Sequence, residues 1–174
     1  MTETALRTRY PTRWLTITAM LMALNIAMSS FGIPVPGGHL YLNDAVICTA
    51  ALLLDPLGGF VVGGMGAFLG DFFFYPTPMF VSLITHGVQA VVISLIFHRI
   101  SKSGRFRSAL TGVLLGAVIN VTGYSLGRAF FYATPDAALL KLPFQIFQAL
   151  SGAVVSLLLY FRTSLPNIWE RFTS

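Results

Sequence analysis

Residues 79–98, MFVSLITHGVQAVVISLIFH, decide the fold class, because these 20 residues contain no Asp, Glu, Lys or Arg. An α-helix needs about 20 predominantly apolar residues to cross the hydrocarbon core of a bilayer. The whole chain follows the same trend: 55% of its 174 residues are hydrophobic and 10% are charged, whereas about 25% are charged in a typical soluble domain. We therefore predict an all-α integral membrane protein in which residues 1–174 form a single transmembrane domain.

Apolar runs that end at Pro, Gly or charged residues divide the chain into six predicted transmembrane helices. These spans lie near residues 14–31, 41–54, 57–75, 79–98, 108–132 and 142–161. The first run follows several arginines, as a signal peptide would, but it lacks a clean cleavage motif and five further spans follow it. The prediction is thus a bundle of six helices in a cell membrane.

The distribution of basic residues predicts which side of the membrane each end occupies. With the N-terminus inside, nine basic residues fall on the cytoplasmic side and only Arg128 and Lys141 fall outside, which satisfies the positive-inside rule. Trp14 and Trp169 lie at the predicted cytoplasmic boundary, where indole rings are enriched. Both termini are therefore predicted to be cytoplasmic. The nine residues are Arg7, Arg9, Arg13, Arg99, Lys102, Arg105, Arg107, Arg162 and Arg171.

Several function classes lack their sequence signatures. The net charge of +5 comes from short basic clusters between apolar runs, so we predict no nucleic-acid partner. The single cysteine, Cys48, lies in an apolar run and offers neither a disulfide framework nor paired metal-binding thiolates. No P-loop, His-Glu-x-x-His motif or nucleophile elbow is present. We accordingly predict no catalytic residue, no metal ligand and no cofactor.

The first connection on the predicted outer side, Gly32 to His39, is rich in proline and glycine and is expected to be a loop rather than an extension of the helix before it. Such a segment suits a lid over a binding site. It also suits a simple tight connection between two spans. The other outer connections are predicted at about 75–78 and 133–141.

Small residues form flat faces on several spans. Ala19, Ala23 and Ala27 are each four residues apart, so their methyl groups share one face of the first helix. Such faces allow helices to approach closely in lipid, either within the fold or against another protein, and the spacing alone does not decide between the two. Glycine pairs on the third and fifth spans, such as Gly59 with Gly63, are expected to pack helices within the fold.

Polar side chains of the spans concentrate in the predicted outer half of the bundle. Charged and strongly polar residues inside a membrane usually face the bundle interior and mark function. Their convergence with nearby aromatic residues predicts a pocket for a small polar heteroaromatic ligand. Each has a structural alternative: His86 as a core histidine, and Asp71–Arg128 or Asp44–His39 as structural pairs. The predicted site residues are His39, Asn43, Asp44, Asp71, His86, Gln89, Asn120, Tyr124, Arg128, Gln145 and Gln148.

Three stretches resemble the substrate-binding S components of energy-coupling factor (ECF) vitamin transporters. They are Tyr41-Leu42-Asn43-Asp44-Ala45-Val46-Ile47, Ala51-Leu52-Leu53-Leu54-Asp55-Pro56-Leu57-Gly58-Gly59 and Gly70-Asp71-Phe72. They are similar to the branch associated with hydroxymethylpyrimidine or vitamin B6-type compounds. The resemblance implies a bacterial plasma-membrane protein whose Ala19, Ala23 and Ala27 face docks a transmembrane coupling protein (T component) that carries two cytoplasmic ATPases.

The resulting hypothesis is a subunit that captures a small water-soluble vitamin or precursor from outside for ATP-driven uptake by its partners. Hydroxymethylpyrimidine and vitamin B6-type ligands match best, and other B vitamins stay open. A self-sufficient ion-coupled secondary transporter is the alternative, with His86, Asp71 and Arg128 as possible proton-coupling groups. A membrane-bound enzyme is a third reading, and it would require turnover that depends on His86 or Asp71.

Overall fold

Six helices of at least 11 residues and one short β-hairpin make up the part of the chain described by the computed structural model, which is residues 12–100 and 104–168. In chain order they are α1 (Thr12–Ser29), β1 (Ile33–Val35), β2 (Gly38–Leu40), α2 (Asn43–Leu53), α3 (Pro56–Phe74), α4 (Met79–Arg99), α5 (Arg105–Tyr132) and α6 (Pro135–Arg162). The prediction of a helical bundle is confirmed.

Proline and an oxygen-bearing side chain mark where two of the long helices begin. Asp55 caps α3 by accepting a hydrogen bond from the backbone N–H of Gly58 at 3.2 Å, and Pro56 occupies the first helical position. Thr134 caps α6 in the same way through the N–H of Ala137 at 3.3 Å, followed by Pro135. Both pairs suit a helix start, because the cap satisfies a free N–H and proline has none to lose.

Four of these helices, α3 to α6, are long and apolar enough to cross a membrane. With 11 residues, α2 is about 16 Å long, roughly half the thickness of a bilayer's hydrocarbon core. The six-span count and the cytoplasmic position of both termini therefore stay predictions. Of the residues that carried the sidedness argument, Arg7, Arg9, Lys102, Trp169 and Arg171 lie outside the described residues.

Two of the predicted connections differ in the structure. The helix α6 begins at Pro135 rather than near residue 142, so most of the connection predicted over 133–141 is helical. The segment from Gly32 to His39 is non-helical, as predicted, but it contains the antiparallel strands β1 and β2, with Val35 opposite Gly38. Gly37 in the turn has a φ of 81°, a conformation that glycine adopts readily.

Glycines set the close contacts between helices, as expected from their spacing. In α3, a Cβ at Gly63 would lie 2.9 Å from the carbonyl oxygen of His86 in α4. About two turns further along, a Cβ at Gly70 would lie 2.5 Å from Oγ of Ser29 in α1. Glycines on two faces of α3 thus let α1 and α4 pack closely against its backbone. Gly63 lies within the π-helical turn Val61–Met65, which interrupts the regular α-helix of α3.

The bundle has two chemically different halves. The end that carries the hairpin, called the hairpin end below, contains most of the buried polar side chains, among them Asp44, His86 and Lys141. Toward the opposite end, the core is formed by apolar side chains such as Leu52, Leu54 and Ile93. The candidate site therefore lies near the hairpin end.

Candidate functional site

Asp44 is the centre of a buried polar network that joins four helices. It lies in the first turn of α2 and is 1% exposed. Its Oδ1 accepts hydrogen bonds from Gln89 Nε2 at 3.2 Å and Asn120 Nδ2 at 2.8 Å, and its Oδ2 accepts one from Gln148 Nε2 at 2.7 Å. These amides belong to α4, α5 and α6, so one carboxylate ties three long helices to α2. The amide donors replace the water that a buried carboxylate loses.

His86 lies beside this carboxylate. Its Nδ1 is 2.8 Å from Gln89 Oε1 and 3.8 Å from Asp44 Oδ1. Its ring meets the ring of Tyr124 edge-on, with centroids 5.2 Å apart. Gln145 extends the network by donating to Asn120 Oδ1 at 2.7 Å. Every polar side chain of this layer is thus positioned by another.

A second polar chain lies closer to the hairpin end and involves α3, α4 and α5. The hydroxyl of Tyr124 donates to Ser82 Oγ at 2.5 Å, and Ser82 in turn donates to a carboxylate oxygen of Asp71. Asp71 is therefore held through a neutral hydroxyl. The sequence analysis considered two structural ion pairs, Asp71–Arg128 and Asp44–His39. Neither forms, because the ion-pair contact found within the described part of the chain joins His86 to Asp44.

A cavity of about 100 Å³ separates these polar chains from the hairpin. Its walls come from α1, the hairpin, the first residue of α2, and the hairpin-end parts of α3 to α6. The lining residues are Ser29, Gly37, Gly38, His39, Tyr41, Asn43, Asp71, Tyr75, Pro78, His86, Tyr124, Arg128, Tyr132, Ala133, Gln145 and Gln148.

The structure brings together all eleven residues that the sequence analysis singled out. Eight of them line the cavity: His39, Asn43, Asp71, His86, Tyr124, Arg128, Gln145 and Gln148. The other three, Asp44, Gln89 and Asn120, form the hydrogen-bonded layer beneath it. A ligand-binding role for these residues stays a prediction.

The hairpin is fastened to α6 over the cavity. Gln148 Oε1 accepts a hydrogen bond from the backbone N–H of Tyr41 at 3.0 Å. Lys141 Nζ donates to the carbonyl oxygen of His39. Lys141 is 1% exposed and lies within α6, so its predicted position in an outer connection is wrong. The reason is the earlier start of α6 at Pro135, which turns Lys141 into the bundle.

Sequence reasoning missed several residues of the site. Lys141 lies four residues before Gln145 and seven before Gln148, so the three share a helical face, and this spacing was the available signal. Ser82 lies on the α4 face of His86 in the same way. Gly37 and Gly38 lie in the segment from Gly32 to His39 that was expected to suit a lid, and Tyr75 and Tyr132 are of the aromatic type expected near the pocket. The other lining residues that were not predicted carry no comparable pattern; they are Ser29, Tyr41, Pro78 and Ala133.

Three buried polar atoms on the cavity wall have no hydrogen-bond partner within the described residues. They are His39 Nδ1, Asn43 Oδ1 and Tyr132 Oη. Asn43 is the most enclosed, since its exposed fraction is 6%. Buried polar atoms are nearly always paired, so unpaired ones around a cavity indicate groups that can bind a polar molecule. No cluster of three or more His, Cys, Asp or Glu within residues 12–100 and 104–168 could hold a metal ion.

The small-residue face of α1 points away from the bundle. Thr18, Asn25 and Ser29 are buried against the rest of the fold, whereas Ala19, Ala23 and Ala27 are exposed. Near the opposite end from the hairpin, an apolar groove of about 460 Å³ adjoins this face. The groove is lined by Thr12, Arg13, Thr16, Ile17, Met20, Leu21, Leu53, Leu165 and Ile168.

Comparison with known proteins gives one family and two relatives. The family model described as ECF-type riboflavin transporter, S component, matches residues 10–164. An uncharacterized protein in the gap 3′ region of Pyrococcus woesei is 31% identical over 135 residues, which cover 76% of this chain and 88% of that protein. A UPF0397 protein of Lacticaseibacillus casei (strain BL23) is 34% identical over 79 residues, or 44% of this chain and 42% of the relative. The family match spans both the hairpin and all six helices.

Proposed function

The chain belongs to the ECF-type riboflavin transporter S component family, and from this premise we propose that it captures a small water-soluble vitamin or vitamin precursor for ATP-driven uptake by partner subunits. The family consists of vitamin-transporter subunits that bind substrate, rather than enzymes. The apolar helices of this chain are those of a multi-pass membrane protein. The ligand, its site and the partners are the proposed part.

The observation that carries the proposal is a polar cavity with an apolar core beneath it. The cavity and the Asp44 network occupy the hairpin end, whereas Leu52, Leu54, Ile93 and Val113 are fully buried in the core beyond it. Buried hydroxyls there, such as that of Ser94, bond to backbone carbonyls of the bundle. A cavity from which no polar path leads onward through residues 12–100 and 104–168 suits a protein that captures a molecule and relies on partners for its transport.

The proposed ligand is of the hydroxymethylpyrimidine or vitamin B6 type, with other B vitamins as candidates. The mixture of amides, carboxylates and aromatic rings around the cavity suits a polar heteroaromatic ring. Riboflavin, which the family description names, is one of the candidates.

In the proposed topology all six helices lie in the membrane, and both termini are cytoplasmic in a bacterial plasma membrane. Arg13 at the start of α1, Arg99 at the end of α4 and Arg105 at the start of α5 share the end opposite the hairpin, as do Arg107 and Arg162. This clustering supports a cytoplasmic position for that end. Although α2 is short, the hairpin that precedes it reaches the outer side and would complete the crossing.

The proposed partners are a transmembrane T component and two cytoplasmic ATPases. Their docking surface is the face formed by Ala19, Ala23 and Ala27, which no other helix of the chain covers within the described residues. In lipid, a flat alanine face gains packing contacts against another helix that it does not gain against fluid lipid tails. The adjoining apolar groove enlarges this surface toward the cytoplasmic end.

The change Ala23→Leu tests this proposal. Because Ala23 is exposed, leucine fits without a clash inside the chain, and ligand binding by the purified protein is expected to persist. Uptake by cells that contain the complete transporter is expected to fall to background, because the added side chain separates the two proteins. Val118→Leu is the matched control, since Val118 is 61% exposed on α5, and uptake should be unchanged.

Two results would count against the proposal. Normal uptake by Ala23→Leu would remove this face as the docking surface. Uptake by the purified chain alone in ATP-free liposomes would favour the self-sufficient secondary transporter, in which Asp71, His86 and Arg128 would couple ions to transport.

A further inference from the structure

Two cations near the hairpin, Arg128 and Lys141, have no carboxylate partner among the described residues. Arg128 lines the cavity at the hairpin end of α5 and forms no ion pair with any described residue. Its guanidinium lies 5.6 Å from the ring centre of Tyr132, so it contacts an aromatic face. A guanidinium has five N–H donors arranged for a planar oxyanion, and here they are available.

Lys141 is the second cation, and it is almost completely buried. With 1% exposure, its ammonium donates to the carbonyl oxygen of His39, while no carboxylate within the described residues pairs with it. An ammonium has three N–H donors, and buried lysines are nearly always paired with an anion. The carbonyl of His39 accepts one hydrogen bond and carries no charge, so Lys141 still lacks an anionic partner.

Neither carboxylate near the cavity pairs with these cations. Asp44 accepts three amide hydrogen bonds beneath the cavity, and Asp71, which lines it, accepts the hydroxyl of Ser82. Within the described residues, no ion pair joins either carboxylate to Arg128 or Lys141. The N–H donors of Arg128 therefore suit a ligand that brings its own oxyanion.

The cavity wall at α2 instead requires a hydrogen-bond donor from the ligand. Asn43 Oδ1 is an acceptor without a donor in the described part of the chain, and Asn43 is 6% exposed. A ligand group with an N–H or O–H would satisfy it. The volume is also restrictive, because about 100 Å³ is well below the roughly 300–1,000 Å³ of pockets for drug-sized ligands.

From these features we infer that the cavity binds a single-ring heteroaromatic compound carrying an oxyanionic group, a carboxylate or a phosphate. The oxyanion lies against Arg128, with the charge of Lys141 nearby under the hairpin, and an N–H or O–H on the ring side donates to Asn43. This inference rests on the proposed function and narrows its ligand class. Riboflavin does not belong to this ligand class, because it carries no oxyanionic group and its three-ring system is too large for a cavity of about 100 Å³.

Matched pairs of probes test the charge preference on the purified full-length chain in detergent. Pyridine-3-carboxylate is compared with pyridine-3-carboxamide, and pyridoxal 5′-phosphate with pyridoxal, by isothermal titration calorimetry, with riboflavin as a fifth probe. At least one anionic probe is expected to bind about tenfold to a hundredfold more tightly than its neutral partner, the range typical of hydrogen bonds to charged groups. The pair that shows the preference distinguishes a carboxylate from a phosphate.

Substitutions test whether the preference depends on Arg128. Arg128→Gln is expected to remove the difference between the paired probes, whereas Arg128→Lys, which keeps the charge, should retain part of it. Arg162→Gln removes a positive charge at the opposite, exposed end of α6 and should leave the difference unchanged. Melting temperatures of all variants show whether each one is folded.

Three results would overturn the inference: neutral probes that bind as well as the anionic ones, binding of riboflavin without either anion, or no binding of either anionic probe. A preference that survives in folded Arg128→Gln would also overturn it. The proposed function fails separately, since the uptake test on Ala23 does not depend on the charge of the ligand.

Discussion

Asp44 is a buried carboxylate surrounded by hydrogen-bond donors from three helices. Its two oxygens accept hydrogen bonds from Gln89, Asn120 and Gln148, each of which is itself buried. All three partners are oriented as donors, so only an acceptor fits at the centre. The network therefore specifies a carboxylate rather than any polar residue of the same shape.

We expect Asp44→Asn to destabilise the protein by about 1–3 kcal/mol, because the new amide nitrogen would face an amide donor and leave a buried donor unpaired. The measurement is the melting temperature of the purified protein in detergent. Asp136→Asn is the control, since Asp136 is exposed in the first turn of α6 and its loss should cost a few tenths of that amount. Equal melting temperatures for Asp44→Asn and the wild type would contradict this account of the network.

At the residue scale, the sequence located the polar cluster but not its hydrogen bonds. Residues three or four apart on a helix share a face, which is why His86 with Gln89 and Gln145 with Gln148 could be grouped. Which amide meets which oxygen depends on helix rotation and on the position of α2. The buried position of Lys141 was missed because the residue was assigned to a connection.

At the scale of elements, α3 is the helix whose packing is most constrained. Gly59 and Gly63 both face Ala90 of α4, but at different distances. A Cβ at Gly59 would lie 3.3 Å from the carbonyl oxygen of Ala90, whereas one at Gly63 would lie 2.9 Å from both Ala90 Cβ and the carbonyl oxygen of His86. Only the second position forces the backbones apart.

Gly63→Ala is therefore expected to lower stability by about 1–3 kcal/mol, the usual cost of overpacking a well-packed core. Gly59→Ala is the matched control and should change stability little. Both variants are compared by thermal unfolding in the same detergent. If Gly59→Ala proved as damaging as Gly63→Ala, the contact distances would not explain the glycine requirement.

The hairpin is the second element that depends on a glycine. Gly37 has a φ of 81°, and a Cβ there would lie 3.0 Å from Lys141 Cβ and 3.1 Å from the carbonyl oxygen of Ala137. Gly37→Ala is expected to loosen the hairpin from α6 through both strain and contact, seen as faster hydrogen exchange over residues 33–41. Gly104→Ala is the control, because Gly104 shares a positive φ of 94° but would meet nothing within 4 Å.

The Gly37 prediction has a clear contrary outcome. Unchanged exchange in the hairpin of Gly37→Ala would mean that the contact with α6 does not hold it in place. A comparable rise in exchange at residues 33–41 in Gly104→Ala would instead point to general destabilisation, since Gly104 lies at the opposite end of the bundle.

Helix starts show why some elements were predictable and others were not. The pair Asp55-Pro56 was recognised as a tight break, whereas Thr134-Pro135, which has the same chemistry, was assigned to a connection. The apolar signal of the first turns of α6 is weakened by Asp136, Lys141 and Pro143. The hairpin has strands of three residues, and its position depends on contacts with α6 that are distant in sequence.

At the scale of the whole molecule, the number of crossings depends on α2. The helices α3 to α6 give four crossings, so residue 163 lies on the side of the membrane where α3 begins. If α2 does not cross, that side is also the side of the hairpin. If α2 and the hairpin together also cross, the count is five and residue 163 lies on the opposite side. Ile33 and Thr163 are both exposed, so their relative sidedness decides the count.

Labelling with a membrane-impermeant maleimide measures this directly. Cys48 is buried and is replaced in a Cys48→Ala background, to which Ile33→Cys or Thr163→Cys is added. With six spans and cytoplasmic termini, intact cells should label Ile33→Cys, whereas Thr163→Cys should react only after the membrane is permeabilised. Labelling of both from outside would mean that α2 does not cross, and labelling of Thr163→Cys alone would reverse the orientation. The first result would remove the six-span topology but leave the cavity outside, whereas the second would place the cavity on the cytoplasmic side and contradict capture of a molecule from outside.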